Sequence, residues 1–526
     1  MNPTWCCLSL ICAFQFFSST LTAAGPPPAR NTEIRALWVD GFHAGIRSKQ
    51  EADQLIADAV RNNFNTLFIQ VRRRGDSLYL KSLEPLLEDA ECEPGFDPLG
   101  YTVEAAHQAG LEVHAWINAM ALWRNAPPPH DLNHVFNRHG LNASGDENWL
   151  TYLSSGSPQF PVGYFLDPGH PGVTDHLVRV YLNVVSNYAV DGIHFDYIRY
   201  PETEERHPKG SPVGYNPTSL ARFARLCGRQ QKPDPGDPLW MNWRREQITQ
   251  LVRRIYIEAK AIRPQVKVSA STIAWGQPPA SSKRFLETTA AGRLVYQDWH
   301  GWMKEGILDL AVPMNYARET DPNVKRWFDG WIAFEKRHKY GRHLAVGIGA
   351  YLNSDDNVLD QLERVRRIEG KNVADGVSFF SYASPSAAPR SGPAAPPATA
   401  PPLPTPRQLT YLAGGTSKHR PAFSDRVSPP AMQWIDRPAH GWVAGTASAA
   451  DSKEADGLSI EMRKSGWWPF RKTYRTRTDG NGWFGFATLK PGAYEVWILR
   501  SGERSRERQK AQVVAGKVSR VEFRYR

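Results

Sequence analysis

The sequence predicts an α/β fold: a (β/α)8 TIM barrel followed by a small all-β sandwich. Apolar, β-branched segments alternate with helical periods over the first 384 residues. A proline-rich stretch follows, and short strands broken by Gly and Asp fill the tail. With 526 residues, the chain is long enough for one large domain and one smaller module, each with its own core.

Eight segments have the composition of buried strands, and amphipathic helical periods lie between them. The strand segments are 35–40, 66–72, 112–118, 192–198, 266–273, 308–314, 344–350 and 376–381. The clearest helices are 52–61, 102–108, 174–187, 244–261 and 358–368. This alternation favours a closed parallel barrel over an open sheet. No helix follows the eighth strand, so either an unusual segment closes the barrel or the tail covers that flank.

The domain boundary is predicted at 385–406, where nine of 22 residues are proline. Such a stretch forms an extended spacer and cannot form a packed core. The barrel is therefore assigned to 33–384 and the sandwich to 441–526. Within the sandwich, the segment TDGNGWFGFATLKPGAYEVWI (478–498) resembles the transthyretin-like fold of carboxypeptidase regulatory domains. That resemblance implies a structural role and no chemistry.

The first 24 residues are predicted to be a secretory signal. An apolar run from 5 to 17 is followed by small and polar residues that end at Ala24, and the run is too short to span a bilayer comfortably. We therefore expect a secreted or periplasmic protein without a membrane span after cleavage. Cys92 and Cys227 would remain in the mature chain, and the sequence leaves open whether they are bridged. We predict no metal site and no cofactor, because no histidines have the spacing of metal ligands.

The basic charge of the chain lies in its tail. From 403 to 526 there are 22 Lys and Arg residues against 11 Asp and Glu residues, which accounts for the whole net charge of +11. On an exported protein, a basic module indicates an anionic envelope polymer as partner more readily than nucleic acid. A solvated basic face is the alternative. We also expect the tail to be an adhesion module: a chain ending near Ser384 should keep its activity on a small soluble glycan and lose salt-sensitive retention on cell-wall material. The alternative is that this chain is insoluble because the tail completes the barrel.

The segment VDGIHFDYIRYP (190–201) is the strongest indication of a site. It places Asp196 where an apolar strand turns polar, and catalytic groups of (β/α)8 barrels lie at the carboxyl ends of their strands. The alternative is that Asp196 has only a structural role and pairs with Arg199 to fix the turn after the strand. Other strand ends supply further polar and aromatic side chains, namely Asp40, Arg72, Asp76, Trp116, Asn118, Tyr316 and Glu319. Sugar sites need this mixture, because a pyranose offers apolar faces to stack and hydroxyl edges to hydrogen-bond.

From about Glu33 to Ser384 the chain resembles the glycosyl-hydrolase-like 10 family of bacterial barrel proteins. The motifs, in order, are RALWVDGFHAG, QVRRRGDSLY, GLEVHAWIN, DPGHPGV, VDGIHFDYIRYP, WRREQI, QDWHGWMKEGILDLAVPMNY and GIGAYLN. The resemblance implies an envelope protein acting on glycosidic bonds, with peptidoglycan as one candidate substrate. It carries over Asp196 as the acid of the fourth strand, and it assigns to the site lining His194, Arg72, Asp76, Asn118, Trp299 and Tyr316. Asp309 also matches, but it precedes the sixth strand and belongs to the stability face.

Glycoside hydrolysis normally needs two carboxyl groups. Asp196 is predicted to be one of them, and Glu319 and Asp40 are preferred over Asp298 for the second. The predicted function is therefore an exported glycoside hydrolase that cleaves O-glycosidic bonds in a cell-wall or environmental polysaccharide. The competing hypothesis is a glycan-binding pseudoenzyme that lacks the second carboxylate. In either case Trp116, Trp299 and Tyr316 are predicted to contact sugar.

Overall fold

The computed structural model describes residues 31–88, 92–204, 210–383, 409–449, 452–466, 472–500 and 502–524. The predicted signal at 1–24 and the predicted linker at 385–406 lie outside these residues. The described strands form a closed barrel, a pair of small β-sheets near the carboxyl terminus and a two-stranded sheet of Ala121–Trp123 and Tyr164–Phe165.

The barrel has eight parallel strands, as the sequence predicts. They are β1 Ile34–Val39, β2 Thr66–Arg72, β3 Glu112–Asn118, β4 Gly192–Asp196, β5 Lys267–Thr272, β6 Leu310–Pro313, β7 His343–Gly349 and β8 Gly376–Phe380. Each strand pairs with its neighbours in the chain, and β1 closes the ring by pairing with β8 from Ile34 opposite Gly376 to Leu37 opposite Phe379. The eight strand ends therefore meet at one mouth.

Helices cover the outside of the barrel. The larger ones are α1 Lys49–Arg61, α2 Pro98–Gln108, α3 Pro171–Asn187, α4 Pro217–Cys227, α5 Pro238–Ile262, α6 Trp299–Glu305, α7 Pro322–Arg337 and α8 Asp355–Arg366. Several begin with proline behind a capping side chain, as in α5, where Asp237 accepts a hydrogen bond from the amide of Leu239. Proline at the first position needs no amide partner, so this pattern fixes where those helices start.

Among the described residues, 409–436 occupy the flank where the sequence shows no eighth helix, and the sequence left them unassigned. After the short helix α9 (Thr410–Gly414), Phe423 packs edge-on against Phe64 at 5.6 Å and against Phe379 of β8 at 6.1 Å between ring centroids. The amide of Glu33 donates to the carbonyl of Ser428 at 3.1 Å. Of the two predicted alternatives, the unusual closing segment is the one present at this flank.

The same segment then covers the amino-terminal end of the barrel. Trp434, in the short helix α10 (Gln433–Asp436), donates its indole N–H to Asp309 at 2.7 Å. Asp309 also accepts from Tyr256 at 3.0 Å and pairs with Lys260 at 3.1 Å, and all three of these side chains are buried. This network confirms that Asp309 belongs to the stability face, because it joins β6, α5 and the closing segment far from the mouth.

The sandwich has seven strands in two sheets. They are β9 Gly441–Ser448, β10 Ser459–Lys464, β11 Thr473–Arg477, β12 Trp483–Leu489, β13 Gly492–Arg500, β14 Glu503–Val513 and β15 Val518–Arg524. The sheets have the orders β12-β9-β15 and β11-β10-β13-β14, and they enclose a separate apolar core. The three-stranded sheet lies on α5, where Trp483 donates to Glu258 at 2.8 Å and Arg254 pairs with Asp479 at 3.0 Å. The tail module is therefore docked on the barrel.

Cys92 and Cys227 are both free thiols and half-buried, so they do not form a disulfide with each other. In the part of the chain that the structure describes, no helix is both long enough and apolar enough to cross a membrane.

Candidate active site

Asp196 lies at the carboxyl end of β4 and faces the mouth of the barrel. In this strand Ile193 and Phe195 pack in the apolar core, whereas His194 and Asp196 lie on the opposite face. Asp196 is therefore one layer above His194. It is only 7% exposed, yet its carboxyl group lines the cavity at the mouth.

Burial has a direct effect on the protonation of Asp196. It raises the pKa of this carboxyl group to about 6, although Arg199, the amide of Tyr197 and the indole of Trp116 all favour the charged form. The amide of Tyr197 donates to Oδ1 at 2.7 Å, and the indole of Trp116 donates to Oδ2 at 3.1 Å. A carboxyl group with a pKa of about 6 can exchange a proton near neutral pH, as acid–base catalysis requires.

The backbone turns sharply straight after Asp196. Tyr197 has φ of +46°, a left-handed conformation that is unfavourable for a residue with a side chain. The turn is held by the amides of Ala119 and Met120, which donate to the carbonyls of Asp196 and Tyr197 at 2.7 and 3.1 Å. Backbone strain of this kind is often found at functional sites. Here it brings the side chain of Tyr197 to the cavity wall.

Asp40 follows β1 and lines the same cavity. Its Oδ1 accepts hydrogen bonds from the amide of Phe42 at 3.0 Å and from Nδ1 of His43 at 2.7 Å. The hydrogen bond that His43 donates to Asp40 raises the pKa of His43 above its ordinary value. Asp40 and Asp196 are thus two buried carboxyl groups on one cavity, and they come from the first and fourth strands.

A chain of amide groups joins the first four strands beneath this cavity. Gln70 accepts from the amide of Gly41 at 2.9 Å and donates to Oδ1 of Asn118 at 3.1 Å. The same oxygen accepts from the indole of Trp116 at 2.9 Å, and that indole also contacts Asp196. Buried polar networks whose members are all paired hold side chains in one arrangement. This network therefore fixes the orientation of Asp196.

The cavity has a volume of about 520 Å³, within the range of small-molecule sites. Its walls combine aromatic rings, arginines and carboxylates. The aromatic members are Trp38, Phe42, Trp116, Trp123, Tyr164, Phe165, Tyr197, Trp275, Tyr316, Tyr351 and Phe380. The charged members are Asp40, Arg73, Arg74, Asp196, Arg199 and Glu202, with His43 beside them. This mixture suits a ligand that has both apolar faces and hydroxyl edges.

A comparison with protein-family models shows which family the chain belongs to. Residues 33–329 match the model described as glycosyl hydrolase-like 10, which is more than half of the chain. The chain belongs to the glycosyl hydrolase-like 10 family. This assignment agrees with the motifs at the strand ends.

Two curated relatives of this family member are named glycosyl hydrolases. Glycosyl hydrolase YngK of Bacillus subtilis is 25% identical over 357 residues, which cover 64% of this chain and 65% of the relative. Glycosyl hydrolase DigH of Escherichia coli K12 is 27% identical over 293 residues, covering 51% of this chain and 60% of the relative. The match therefore spans less than two thirds of the length of either relative.

Two solved structures are similar to this chain at low sequence identity. The glycoside hydrolase domain of PgaB (BpsB) from Bordetella bronchiseptica has 14% identity and a TM-score of 0.45, covering 67% of this chain and 94% of that domain. The catalytic domain of β-amylase from Paenibacillus polymyxa also has 14% identity and a TM-score of 0.45, covering 66% of this chain and 93% of that domain.

Five of the predicted site residues line the cavity of this family member: Asp40, Asp196, Trp116, Asn118 and Tyr316. The other five do not, namely Arg72, Asp76, His194, Trp299 and Glu319. For each of these, the contacts in the structure give the physical reason.

Arg72 and Asp76 are engaged beside the cavity instead of lining it. Arg72 is fully buried and makes a bidentate ion pair with Glu84, at 2.5 and 2.8 Å. Asp76 accepts from the guanidinium of Arg73 at 2.9 Å and from the amide of Arg74 at 3.0 Å. The predicted substrate contact is corrected for both: Arg72 holds the end of β2, and Asp76 holds two cavity arginines.

His194 and Trp299 are in the protein interior. Both ring nitrogens of His194 lie 2.9 Å from serine hydroxyls, those of Ser269 and Ser271, and burial lowers its pKa to about 3. Trp299 is 2% exposed, and its indole donates to the carbonyl of Ile273 at 3.0 Å. Its ring packs against Phe285. The predicted substrate contacts of His194 and Trp299 are therefore corrected to core packing.

Glu319 is neutralised outside the cavity by cations. It accepts from both terminal nitrogens of Arg364, at 2.8 and 2.5 Å, and pairs with Lys325 at 2.6 Å. Burial acts to raise its pKa, but the hydrogen bonds from Arg364 and Lys325 lower it overall. A carboxylate held in this way is a poor proton donor and a poor nucleophile. Asp298, the least favoured candidate, caps α6 by accepting from the amide of Gly301 at 2.9 Å.

The cavity also contains residues that sequence reasoning missed. Glu202 lies six residues after Asp196, pairs with Arg199 at 3.1 Å and has a largely exposed side chain. Trp275 and Tyr351 follow β5 and β7, two strands that end without an acidic residue. The signal was available, since aromatic residues after a barrel strand are as informative for a sugar site as carboxylates.

Proposed function

We propose that the protein is an exported glycoside hydrolase that cleaves O-glycosidic bonds by carboxylate acid–base chemistry. The observation that carries the proposal is Asp196, a buried carboxyl group with a pKa of about 6 at the carboxyl end of β4, in an aromatic cavity. Membership of the glycosyl hydrolase-like 10 family and the names of the curated relatives support it.

In this proposal Asp196 is the general acid. Its protonated form donates the proton to the glycosidic oxygen as the bond from that oxygen to the anomeric carbon breaks. Asp40 supplies the second carboxyl group, which either activates a water molecule or attacks the anomeric carbon. Water then supplies the hydroxyl group of one product and the proton that restores Asp196. The role given to Asp40 is supported by its position, because it is the other buried carboxyl group of the cavity wall.

The walls of the cavity would hold the sugar. Tyr316 and Trp116 offer ring surface to pyranose faces, and the guanidinium groups of Arg74 and Arg199 are suited to hydroxyl or carboxylate oxygens. Arg199 lies over the rings of Tyr197 and Trp275, with its guanidinium carbon 4.6 and 4.9 Å from their centroids. Stacking on two rings restricts this arginine before substrate arrives.

The second candidate function is glycan binding without turnover. It is favoured by one observation: Oδ1 of Asp40 already accepts two hydrogen bonds, from Phe42 and His43, which reduces its capacity as base or nucleophile.

The proposal that the protein is exported rests on the predicted signal at 1–24, which would deliver the protein to the periplasm or the medium. There its substrate would be a cell-wall or environmental polysaccharide, with peptidoglycan as one candidate.

Release of reducing ends from a panel of purified glycans separates the two functions. The panel includes glycan strands of peptidoglycan and neutral plant and bacterial polysaccharides, and binding of each is measured in parallel. We expect release from at least one glycan, which disappears in Asp196→Asn and persists in Asp53→Asn, an equivalent change on the exposed face of α1. Binding without release on every glycan would favour the pseudoenzyme.

A further inference from the structure

The tail sandwich exposes one of its two sheets. The three-stranded sheet is occupied by the barrel, because Trp483 of β12 and Arg520 of β15 both contact Glu258 of α5. The four-stranded sheet β11-β10-β13-β14 lies on the other side of the sandwich core. Among the described residues, its outer face carries exposed side chains, including those of Arg475 and Arg508, and is therefore available to a partner of the whole protein.

The pairing of the strands shows which side chains share that outer face. Side chains of directly opposed residues in an antiparallel pair lie on the same side of the sheet. Glu461 is opposite both Arg475 and Trp497, Trp497 is opposite Arg508, and Glu495 is opposite both Arg463 and Lys510. Beyond a bulge, Leu499 is opposite Arg504. We define the arginine face by its cationic members: Arg463, Arg475, Arg504, Arg508 and Lys510.

Positive charge exceeds negative charge on the arginine face, where its five cations surround Glu461 and Glu495. Glu461 is buried and accepts from Arg475 at 3.0 and 2.9 Å and from Arg504 at 2.9 and 2.7 Å. Arg463 lies 3.1 Å from the same carboxylate. One carboxylate thus holds three guanidinium groups, which leaves an excess of positive charge at a fixed place.

The arginines of this face are held in place while part of each remains open to solvent. The side chain of Arg475 is 69% exposed, although two of its nitrogens are bonded to Glu461. The guanidinium of Arg504 stacks on Trp497, 4.3 Å from the ring centroid. A guanidinium has five N–H donors, so each of these arginines has donors to spare. Because they are already ordered, binding an anion costs less side-chain entropy.

The geometry of the face favours a particular anionic partner. Strands lie about 4.8 Å apart and alternate residues along a strand about 6.8 Å apart, so the cations form a closely spaced array that suits a linear polymer with repeated carboxylates. Trp497 is 8% exposed and lies under Arg504, so its ring is not open to stack on the bases of a nucleic acid. We propose that the arginine face binds an acidic polysaccharide. The choice of a polysaccharide among polyanions rests on the proposed function.

The test uses the full-length protein and two forms of one polymer, polygalacturonate and its methyl ester, which differ in carboxylate charge. We expect polygalacturonate to bind, the methyl ester to bind at least tenfold more weakly, and the difference to vanish in 0.5 M NaCl. Arg508→Glu/Lys510→Glu should lose at least tenfold in affinity while avoiding the Glu461 cluster. Lys490→Glu/Lys517→Glu makes the same charge change on other exposed residues of the sandwich and should retain binding.

Several outcomes would overturn the proposal. Equal loss in both double variants would mean that net charge alone attracts the polymer. Equal binding of the methyl ester would remove the role of carboxylates. Tighter binding of a DNA duplex or of anionic lipid vesicles, lost in Arg508→Glu/Lys510→Glu, would assign the face to another partner. Thermal unfolding of each variant checks that the sandwich is intact. Binding requires no turnover, so a catalytically inactive protein still tests the face.

Discussion

The indole N–H of Trp116 is shared between two oxygens, Oδ1 of Asn118 at 2.9 Å and Oδ2 of Asp196 at 3.1 Å. Asn118 in turn accepts from Gln70 and donates to the carbonyl of Arg73. The carboxyl group of the fourth strand is therefore oriented by groups from the second and third strands. Its protonation depends on the same contacts, because a donor to a carboxylate stabilises the charged form.

The first prediction concerns pH. Since Asp196 acts in its protonated form, kcat/KM should fall as pH rises through about 6. Trp116→Phe removes a hydrogen bond that favours the charged form, so the pKa of Asp196 should rise and the falling limb should move to higher pH. A pH–rate profile of both proteins measures this. A limb that moves to lower pH, or stays in place, contradicts the assigned role.

The second prediction separates two aromatic residues that the sequence treats alike. Tyr316→Ala should weaken glycan binding by about 1 to 3 kcal/mol with little loss of stability, because its ring lines the cavity. Trp299→Ala should instead lower the free energy of unfolding by about 3 to 5 kcal/mol, because it empties a packed site in the core. Calorimetric binding and urea unfolding measure the two effects. Tyr340→Ala, a change on the surface, is the control. If Trp299→Ala instead weakened glycan binding and left stability unchanged, Trp299 would belong to the site.

The third prediction concerns the buried pair of Arg72 and Glu84. Arg72→Met should destabilise the fold by about 3 to 5 kcal/mol, because it leaves a buried carboxylate without its main partner. The double variant Arg72→Met/Glu84→Gln should recover part of that loss. If urea unfolding shows Arg72→Met to be as stable as the wild type, the structural role assigned to Arg72 is wrong.

Low pH should weaken the stabilising contribution of the same pair, Arg72 and Glu84. Burial opposes the charged form, but Arg72 and His176 lower the pKa of Glu84 well below its usual range. Its stabilising contribution is therefore present above the unfolded-state pKa, about 4.3, and is lost as pH falls from there towards the folded-state pKa. Between pH 5 and pH 3 the wild type should lose more stability than Arg72→Met/Glu84→Gln.

The fourth prediction replaces the expectation that a chain ending near Ser384 is an independent barrel. Residues 409–436 supply Phe423 to the barrel core and Trp434 to Asp309, so a chain ending at Ser384 should be insoluble or markedly less stable. In the full chain, Phe423→Ala should lower the free energy of unfolding by about 3 to 5 kcal/mol. Phe42→Ala, an exposed ring at the mouth, is the control. A soluble, cooperatively folding chain ending at Ser384 would contradict this account of closure.

The eight strands could be predicted because each is a short segment dominated by apolar and β-branched residues, and burial on both sides of a parallel strand favours such a composition. The closing segment could not. Its helices, Thr410–Gly414 and Gln433–Asp436, are too short to show a period, and its contacts are with residues far away in sequence. Phe423, for example, packs against Phe64, although most of the barrel sequence separates the two residues.

A site residue could be predicted from the sequence only where its residue type and its position on a strand both indicate a role in the site. Asp196 satisfies both conditions, since it is an acid and stands at the carboxyl end of a barrel strand. Trp299 does not, because an indole suits a core as well as a sugar site, and packing alone decides between them. Glu319 follows the right strand, but its partner Arg364 lies 45 residues further on, and such a pairing leaves no local pattern.

The central claim is that Asp196 performs chemistry on a bound glycan, and parallel measurement of kcat and binding in Asp196→Asn tests it most directly. On a glycan that the wild type cleaves, we predict that kcat falls by roughly a hundred- to ten-thousand-fold, the usual contribution of a general acid. The dissociation constant should stay within a few-fold, because the aromatic walls are unchanged. A variant that keeps kcat within a few-fold of the wild type would contradict the claim.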